Sequence, residues 1–483
     1  MIKNSTLSTV LFAFALFLSS IALSAQNVHN QNSGLDYTTI QAAVDAASAN
    51  DILMVSAAAY AENVTVNKSL DIRGAQYNTS VIGRTSGSVA ESTVSAPAGQ
   101  TCFKITAANV SIDGFTLNGS GGGRGVEETT PVAGTSVKRN FISGFGGGLA
   151  VSISAGSTGF VVSSNDIRNN YAGVYLSSGA NSGSVINNVI SGHVDGALDQ
   201  GSAVVFEGGQ SNVIVSNNDL RGNGNALYAW TFGPFSANTI ENNNLSANTE
   251  FAVQNTSVNN IALGCNWYGF TNKVLINGEI SGPATYTTYL HNGTDTDPAV
   301  GHQPDNSCSA NGRWYVNDGS NSGNVFTSAA GNNANPGTAA LPLRNVQFAN
   351  DIAVAGDTIF VDAGTYLEVI NLTKSLQLYG SNYQNPPSGS RVAETKIWPV
   401  VSDPNPNTGS TLISQTGNIS GTTIAGFQFD GDNPGLTDGI EINGANVDAI
   451  GAIGLYDGSG NLTIENNIVK NFSYSGIEIA AYP

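Results

Sequence analysis

The chain has 483 residues, only 11% of them charged, and its 35 Asp and Glu against 17 Lys and Arg give a formal net charge of −18. This negative balance argues against nucleic acid or an anionic membrane as the partner, because both would repel the chain. Its 57 glycines have no triplet period, which excludes collagen, and the length suits either two or three ordinary domains or two long solenoids.

The N-terminus has the pattern of a secretory signal peptide. Lys3 supplies a positive charge, residues 10–18 form the centre of an apolar stretch, and small residues end it at Ala25. A retained membrane anchor is the alternative, but the stretch is short and Ser19 interrupts it. We therefore expect residues 1–25 to be a cleaved signal peptide, followed by export to the cell surface or medium with no membrane insertion after cleavage.

A short helix and three strands are predicted to open the ordered part of the chain. Within 37–50, Ile40, Ala43, Val44 and Ala47 fall on one face of a helix. Such a helix can cover the first strands, whose apolar side would otherwise meet water. The strands predicted after it are short apolar runs at 52–55, 64–66 and 70–72.

From residue 140 onward the sequence repeats around asparagine, with Ile or Leu two residues later. The repeated residues are Asn140, Asn165, Asn188, Asn218 and Asn243, at intervals of 25, 23, 30 and 25. A period in this range is typical of a solenoid, in which each coil buries its apolar side against its neighbours. We expect the asparagines to bond to one another between coils about 4.8 Å apart, at corners where Asn tolerates left-handed backbone.

Two Asp–Arg pairs occupy equivalent positions in this repeat, two coils apart. They are Asp166 with Arg168 and Asp219 with Arg221. Because side chains at i and i+2 of a strand point the same way, each Asp is expected to meet its Arg on the outer face. Two arginines about 10 Å apart could grip a uronate-bearing polysaccharide. The alternative is that they are surface ion pairs without a ligand.

The coil with the longest interval contains a histidine among carboxylates. His193 lies near Asp195, Asp199 and Glu207 in the sequence, and functional loops commonly project from regular scaffolds. A histidine beside carboxylates suits acid–base chemistry. The alternative is a solvated acidic loop with an incidental histidine.

Aromatic residues on or near successive coils form a third candidate site. Tyr175, Tyr228 and Trp230, with Tyr171 and Phe232 nearby, could stack on sugar rings. Trp230 is the most informative of them, because it stands in an alternating run that could leave one face open. The alternative is that these rings fill one side of the solenoid.

Bulky aromatics mark the end of the first repeat region. Trp267 and Tyr268 break the coil pattern and are expected to plug the open end of the solenoid. We assign residues 36–300 to the first module. Residues 301–340, rich in Gly, Asn and Ser, are assigned to a linker.

The three cysteines indicate at most one disulfide. Cys265 and Cys308 both lie near the end of the first module, and in an exported chain they could pair. Cys102 is then left over and is expected to be a buried apolar residue. The spacing of the cysteines matches no zinc site.

The chain contains the opening module twice. Residues 49–77 align without gaps with 355–383, and 11 of the 29 positions are identical. The second copy, assigned to 341–483, is expected to hold its cap at 346–354 and its first strand at 359–361. Because it has no terminal aromatic plug, we expect it to be an incomplete module.

The second copy also contains a calcium candidate. Asp430, Asp432 and Asp438 resemble half of a calcium loop. The closing bidentate glutamate is missing at the required spacing, so calcium is only a weak expectation and no other cofactor is indicated.

These features together resemble the right-handed parallel β-helix proteins of the pectin-lyase-like superfamily. The resemblance covers about 36–300 and 341–483, and it is carried by the asparagine coils and by 37–44, 60–64, 68–70, 266–269 and 281–283. It implies an all-β fold of two tandem right-handed parallel β-helix solenoids, the second truncated. Segments such as 266–283 look like module ends in large bacterial surface proteins.

The resemblance implies no single activity, because the superfamily includes lyases, hydrolases, esterases, epimerases, adhesins and accessory proteins. The motifs of pectin methylesterases, polygalacturonases and alginate epimerases are missing from this sequence. An enzyme needs unlike charged groups that converge in one cleft, whereas a stalk needs only repetition.

We therefore expect an exported, surface-associated protein with a glycan-binding, adhesin or structural stalk role, whose partner is a polysaccharide or cell-surface glycan. The main alternative is a polysaccharide lyase or hydrolase that acts on an acidic polysaccharide near residues 166–232. A weaker alternative is a periplasmic accessory protein.

Overall fold

The computed structural model describes residues 27–193, 201–230, 233–235, 237–304, 308–402, 410–456 and 460–480. Within these ranges the chain is mainly β-strand, and almost all strand pairs are parallel. The predicted signal peptide, 1–25, lies outside them. Among the described residues, no helix is long and apolar enough to cross a membrane.

Three long sheets, here called A, B and C, contain most of the strands of the first copy. Sheet A is formed, in order, by Leu35–Tyr37, Val28–Asn30, Asp51–Val55, Leu70–Arg73, Ser111–Asp113, Ser136–Lys138, Val161–Ser163, Ser184–Ile186, Ile214–Ser216 and Thr239–Glu241. Sheet B is formed by Ala58–Tyr60, Ser92–Ser95, Phe115–Asn118, Phe141–Ser143, Asp166–Arg168 and Val189–Ser191. Sheet C is formed by Val64–Val66, Phe103–Ile105, Val126–Glu128, Leu149–Ile153, Ala172–Leu176, Ser202–Phe206, Asn225–Ala229, Phe251–Asn255 and Ile280–Ser281.

Successive strands join the three sheets in rotation. Asp51–Val55 lies in sheet A, Ala58–Tyr60 in sheet B and Val64–Val66 in sheet C, and the next strand, Leu70–Arg73, returns to sheet A beside the first. Each sheet therefore grows by one parallel strand for each circuit of the chain. A residue on one strand lies directly beside residues from the circuits before and after it.

The second copy repeats this arrangement in sheets D, E and F. Sheet D is formed by Arg313–Val316, Thr358–Val361, Gln377–Gly380, Thr423–Ala425 and Thr463–Glu465. Sheet E is formed by Gly364–Leu367, Thr395–Trp398, Phe427–Asp430 and Ile468–Lys470. Sheet F is formed by Ile370–Leu372, Thr411–Gln415, Gly451–Leu455 and Ser475–Ile479. Two small pairs complete the strands, Ile261–Leu263 with Ala284–Tyr286 and Ile440–Ile442 with Ala445–Val447.

Three short helices are present in the described residues: α1, Ile40–Ala46; α2, Lys273–Gly278; and α3, Val346–Ile352. Helix α1 buries Ile40, Ala43 and Val44, the face that the sequence predicts. Helices α1 and α3 occupy equivalent places in the two copies, and each packs against the first strands of its own copy. Both lie where the sequence predicts a cap.

The interior of each copy is an apolar core enclosed by its three sheets. In the first copy the aliphatic row predicted after the asparagines is fully buried, and it consists of Ile142, Ile167, Ile190, Leu220 and Leu245. A separate buried cluster, from Trp314 to Leu455, forms the core of the second copy. Burial of such rows between neighbouring coils is the main stabilising term in a stacked fold.

The repeated asparagines form an internal hydrogen-bonded ladder. All five are fully buried, and each side-chain amide donates to the side-chain oxygen of the next asparagine, from Asn140 to Asn165 at 3.2 Å through to Asn218 and Asn243 at 2.9 Å. The ladder gains a sixth member, Asn266, which accepts from Asn243 at 2.9 Å. Each oxygen also accepts a backbone N–H from the coil before it, as Asn165 does from Asn140 at 2.9 Å.

The left-handed corner lies one residue before each ladder asparagine, which corrects the expected position. The residues with positive φ are Arg139, Ser164, Asn187, Asn217 and Asn242, with φ between 52° and 58°. The ladder asparagines are therefore selected for their side-chain hydrogen bonds, and the left-handed turn is made by residues of mixed type.

The end of the first copy is closed by aromatic side chains and by a disulfide. Tyr268 and Tyr289 are buried, and Tyr286 contacts both rings at 5.8 and 6.1 Å. Cys265 and Cys308 form a disulfide with Cα atoms 6.0 Å apart, and Cys102 is a buried free thiol whose pKa burial raises to about 12.

Two parts of the interval assigned to the linker are built into the copies. Residues 300–303 fold back onto the first copy, where the His302 N–H donates to the Asn217 carbonyl at 2.9 Å. Arg313–Val316 is the edge strand of sheet D, and buried Trp314 donates its indole N–H to Asp357 at 2.9 Å.

Candidate functional site

The outer side of sheet C carries a row of side chains that faces away from the core. In register from strand to strand, this row contains Lys104, Glu127, Ser152, Tyr175, Val205 and Tyr228. It is charged at one end and aromatic at the other. Because parallel strands stack at about 4.8 Å, six residues from six different coils become neighbours in one row, in which Val205 and Tyr228 are buried.

A groove of about 560 Å³ lies along this surface, and we call it the sheet C groove. Lys104, Glu127, Ser152 and Tyr175 of the outer row line it, together with Tyr171. Its volume is within the range of ligand sites, and polar side chains and glycines form most of its lining beside the two tyrosine rings.

Glycines form one side of the groove because neighbouring coils approach closely there. A Cβ atom on Gly148 would lie 1.7 Å from the carbonyl oxygen of Gly123, and one on Gly123 would lie 2.1 Å from that of Gln100. Glycine is therefore required at these positions by the close approach of the neighbouring backbone. The consequence is a wall of exposed backbone, which leaves room for a flat ligand.

The charges in the groove are balanced. Lys104 and Arg124 are its cations, and Glu127 and Glu207 are its carboxylates. Arg124 is ion-paired with Glu127, which also accepts from the Thr101 hydroxyl at 2.9 Å. Such a groove has no excess of positive charge that would select a polyanion.

The three aromatic candidates differ in their exposure. Tyr175 lines the groove and is partly exposed, and Trp230, two residues after Tyr228 on the same coil, is also partly exposed. Tyr228 is only 2% exposed, with its ring centroid 6.2 Å from that of Trp230 in an edge-to-face contact. Tyr228 therefore supports the cluster and does not offer its ring face to a ligand. Phe232 lies outside the described residues.

The two Asp–Arg pairs lie on the outer side of sheet B, in one row. Asp166 is in register with Val189, and Val189 with Asp219. Each carboxylate accepts two hydrogen bonds from its own arginine, at 2.5 and 2.8 Å for Arg168 and at 2.7 Å twice for Arg221. The arginine side chains are 53% and 54% exposed. The pKa of Arg221 is raised by its hydrogen bond with Asp219, so this guanidinium keeps its proton.

His193 lies inside the first copy rather than on a solvated loop. It is 0% exposed, its Nδ1 is 2.8 Å from the carbonyl oxygen of Ser191, and its backbone N–H donates to Asn223 at 3.2 Å. Burial lowers the pKa of its imidazole to about 4, so the side chain is neutral near pH 7. Asp195 and Asp199, its predicted partners, lie outside the described residues.

Of the three calcium candidates, Asp430 is engaged by protein groups. Asp430 is ion-paired with Lys470 at 2.8 Å and accepts from the Asn471 amide at 2.8 Å. Asp432 is partly exposed, and Asp438 is exposed. Within the described ranges, no group of three or more His, Cys, Asp or Glu side chains is arranged to hold a metal ion.

Sequence reasoning missed Lys104, Arg124, Glu127 and the glycine wall of the sheet C groove. A usable signal was present, since the intervals from Ser152 to Tyr175 and from Tyr175 to Val205 are 23 and 30 residues. Those are also the intervals of the asparagine ladder from 165 to 188 and from 188 to 218. Tracing any outward position through the same intervals would have assembled the row.

A search of protein-family models finds no match to this chain, and a search of curated proteins finds none either. The assignment of function therefore rests on the residues and their geometry.

Proposed function

We propose that this chain is an exported, surface-associated protein of two tandem right-handed parallel β-helices, and that it binds a glycan in the sheet C groove. The rotation of strands among three parallel sheets and the buried asparagine ladder support the β-helix assignment. They also support kinship with the pectin-lyase-like superfamily, which the opening segment and the module end resemble.

The observation that carries the proposal is the arrangement of the sheet C groove. It combines a partly exposed tyrosine ring at Tyr175, a backbone wall, and polar side chains at Lys104, Glu127 and Ser152. Aromatic rings pack against the apolar faces of sugars, while mixed donors and acceptors suit their hydroxyl groups. The groove spans four strands of sheet C, from Lys104 to Tyr175, so more than one sugar ring can lie along it.

Export and surface attachment are part of the same proposal. They are supported by the signal-peptide pattern of residues 1–25 and by the charge-poor, asparagine-rich composition. The Cys265–Cys308 disulfide also suits an oxidising compartment. A stiff stack of coils that carries a ligand row along its side is suited to an adhesin or a stalk.

Affinity gel electrophoresis on a panel of neutral and acidic polysaccharides tests the proposal. We expect retardation by at least one of them, and about tenfold weaker binding for Tyr175→Ala, which corresponds to about 1.4 kcal/mol of lost contact. The matched control is Tyr474→Ala, which removes a tyrosine that is 67% exposed and lies outside the groove. If Tyr175→Ala leaves the retardation by every polysaccharide of the panel unchanged, the groove is rejected as the site.

A polysaccharide lyase or hydrolase is the second candidate, and one observation favours it. Arg168 and Arg221 are more than half exposed and stand in one row on sheet B, where they could hold the carboxylates of an acidic substrate. Incubation with acidic polysaccharides, with and without calcium, should then give unsaturated products or new reducing ends, which Arg168→Ala would abolish. If no substrate gives a product, the lyase or hydrolase function is rejected.

A further inference from the structure

The outer side of sheet D carries five aromatic rings in mutual contact, which we call the ring face. Its members are Tyr315, Phe326, Phe360, Tyr379 and Tyr383. On the first three strands of the sheet, Tyr315 is in register with Phe360, and Phe360 with Tyr379. Their ring centroids are 5.3 and 5.8 Å apart, and those of Tyr379 and Tyr383 are 4.7 Å apart.

All five rings remain partly exposed. The interplanar angle is 18° between Tyr315 and Phe360 but 74° between Phe360 and Tyr383. The rings are therefore not stacked in one closed column. An aromatic patch that stays accessible is typical of an interaction site.

A buried carboxylate holds one of these rings in place. Asp362, which is 0% exposed, accepts the backbone N–H groups of Val325, Phe326 and Thr327 at 2.5, 3.1 and 2.8 Å, and the Thr327 hydroxyl at 2.7 Å. The loop is thereby fixed with the Phe326 ring 5.2 Å from that of Phe360. A ring that is fixed in advance loses little entropy when a ligand binds.

A polar row runs beside the rings on the same outer side of sheet D. It lies two residues before the aromatic row and consists of Arg313, Thr358, Gln377, Thr423 and Thr463. Hydroxyl and amide groups next to aromatic rings match a ligand with apolar ring faces and hydroxyl edges, which is the chemistry of a sugar. The strand spacing of about 4.8 Å is close to the length of one pyranose unit in an extended chain.

The charges around the ring face favour an uncharged ligand. Arg313 is the only cation of the polar row, and the ring row ends in the exposed carboxylate of Glu465. The chain as a whole carries a formal net charge of −18. An acidic polymer would meet repulsion here, whereas a neutral one would not.

The first copy indicates that the fold does not require these rings. Counting by the offset of the duplication, Phe360 corresponds to Met54 and Tyr379 to Arg73. There Arg73 lies over the ring of Tyr77, 4.2 Å from its centroid, where the second copy stacks Tyr379 on Tyr383. Aromatic residues at these positions are therefore a feature of the second copy and not of the coil.

We propose that the ring face binds an uncharged polysaccharide, with sugar rings against the aromatic row and hydroxyl groups against the polar row. The site is separate from the sheet C groove, lies on the other copy, and does not depend on the groove for its function. It gives the chain a second glycan specificity, for neutral polymers.

Native affinity gels that contain hydroxyethylcellulose, xyloglucan or galactomannan test this inference on the whole chain. The test variant combines Phe360→Met with Tyr379→Arg, the residues that the same coil accommodates in the first copy. We expect wild type to be retarded by at least one of the three polymers and the double variant to bind at least tenfold more weakly. Tyr175→Ala, which alters only the groove, should retain the retardation.

Thermal unfolding verifies that the double variant is folded, and Phe326→Ala, on a loop outside the sheets, provides a second variant with the same expected loss. No retardation of wild type by any of the three polymers would overturn the inference, as would equal retardation of wild type and both variants. A wild-type dimer in analytical ultracentrifugation that the double variant abolishes, without polymer binding, would assign the rings to self-association instead. If only Tyr175→Ala loses the retardation, the polymer binds in the sheet C groove, and the ring face is rejected as a binding site.

Discussion

The start of the cap helix is held in the same way in both copies. In the first, Glu62 accepts the backbone N–H groups of Ile40 and Gln41, each at 2.9 Å. In the second, Glu368 accepts those of Val346 and Gln347 at 2.9 and 2.8 Å. A carboxylate that accepts two free N–H groups at the start of a helix is also stabilised by the positive end of the helix dipole.

Other residues that are identical in the two copies also form hydrogen bonds within their own copy. Tyr60 and Tyr366 donate their hydroxyls to the carbonyls of Ser56 and Asp362, both at 3.0 Å. The outer faces have diverged instead, from charged residues on sheet A to aromatic rings on sheet D. The comparison teaches that the duplicated residues specify the coil, so a difference in ligand is to be sought among the outward positions that differ.

Substitutions in the asparagine ladder should give the largest loss of stability, and this loss should differ between the two copies. Asn188→Ala would leave the N–H of Asn165 without its acceptor in the core and would remove the side-chain hydrogen bonds to Asn165 and Asn218, so we expect a loss of about 3 kcal/mol in the free energy of unfolding of the first copy. The corresponding residue of the second copy, Asn467, is partly exposed, and Asn467→Ala should cost only about 1 kcal/mol. Urea unfolding followed by circular dichroism measures both, and equal losses would contradict the comparison.

Acid should weaken the first copy selectively. The pKa of His193 is lowered from its ordinary 6.5 to about 4 by burial, so below pH 6.5 the unfolded chain binds a proton that the folded chain does not. Stability is therefore complete above pH 6.5 and falls by up to about 3 kcal/mol as the pH approaches 4. All four histidines of the chain precede residue 313, so the second copy lacks this dependence.

Urea unfolding at pH 7.5 and pH 4.5 measures this acid effect, with His193→Asn as the control. The buried carboxyls of Glu128 and Glu368 have raised pKa values and act in the opposite direction, one in each copy. The control should flatten the difference between the two pH values for the first transition. If His193→Asn keeps the full difference in unfolding free energy between the two pH values, another group causes the acid effect.

The lysine at the end of each cap helix should contribute equally in the two copies. Lys68 donates to the carbonyls of Val44, Asp45 and Ala47, and Lys374 donates to the three equivalent carbonyls at 2.8 to 3.1 Å. Lys68→Met and Lys374→Met keep the aliphatic stem and remove the charge. Each should lower the free energy of unfolding of its own copy by about 1–2 kcal/mol, which thermal unfolding measures as a lower melting temperature. Losses that differ widely between the two variants would show that the two caps are not equivalent.

The smallest effect is expected from the outer ion pair of sheet B. Arg168→Ala removes a guanidinium that is 53% exposed, so the stability of the first copy should change by less than about 1 kcal/mol. Thermal unfolding in low and high salt checks this, with Arg221→Ala as the matched variant. A loss well above that value would mean that these arginines belong to the framework of the coil.

The sequence was sufficient to predict the elements that repeat. The strand at 64–66, the buried face of α1 and the ladder from Asn140 to Asn243 all lie where the patterns indicate. Each depends only on local periodicity or on residues of one type at regular intervals. Asn266 escaped detection because the aromatics after it hide the pattern.

The two proposed binding surfaces were harder to predict from the sequence than the repeats, because they depend on register between coils. Lys104 and Tyr175 share a groove only once every intermediate coil is counted correctly. Phe326 joins the ring face through a loop whose position is determined by Asp362, a contact that no periodicity encodes. His193 was misplaced for the same reason, since a histidine in a polar sequence can still point inward.

The most direct test of the account is a glycan-array measurement on four chains of equal thermal stability: wild type, Tyr175→Ala, Phe360→Met with Tyr379→Arg, and the combination of all three substitutions. We expect that wild type binds glycans, that each partial variant loses a different subset of them, and that the combined variant loses both subsets. Wild type that binds nothing, or a combined variant that binds as wild type does, would contradict the claim that the outer rows of these coils carry the function.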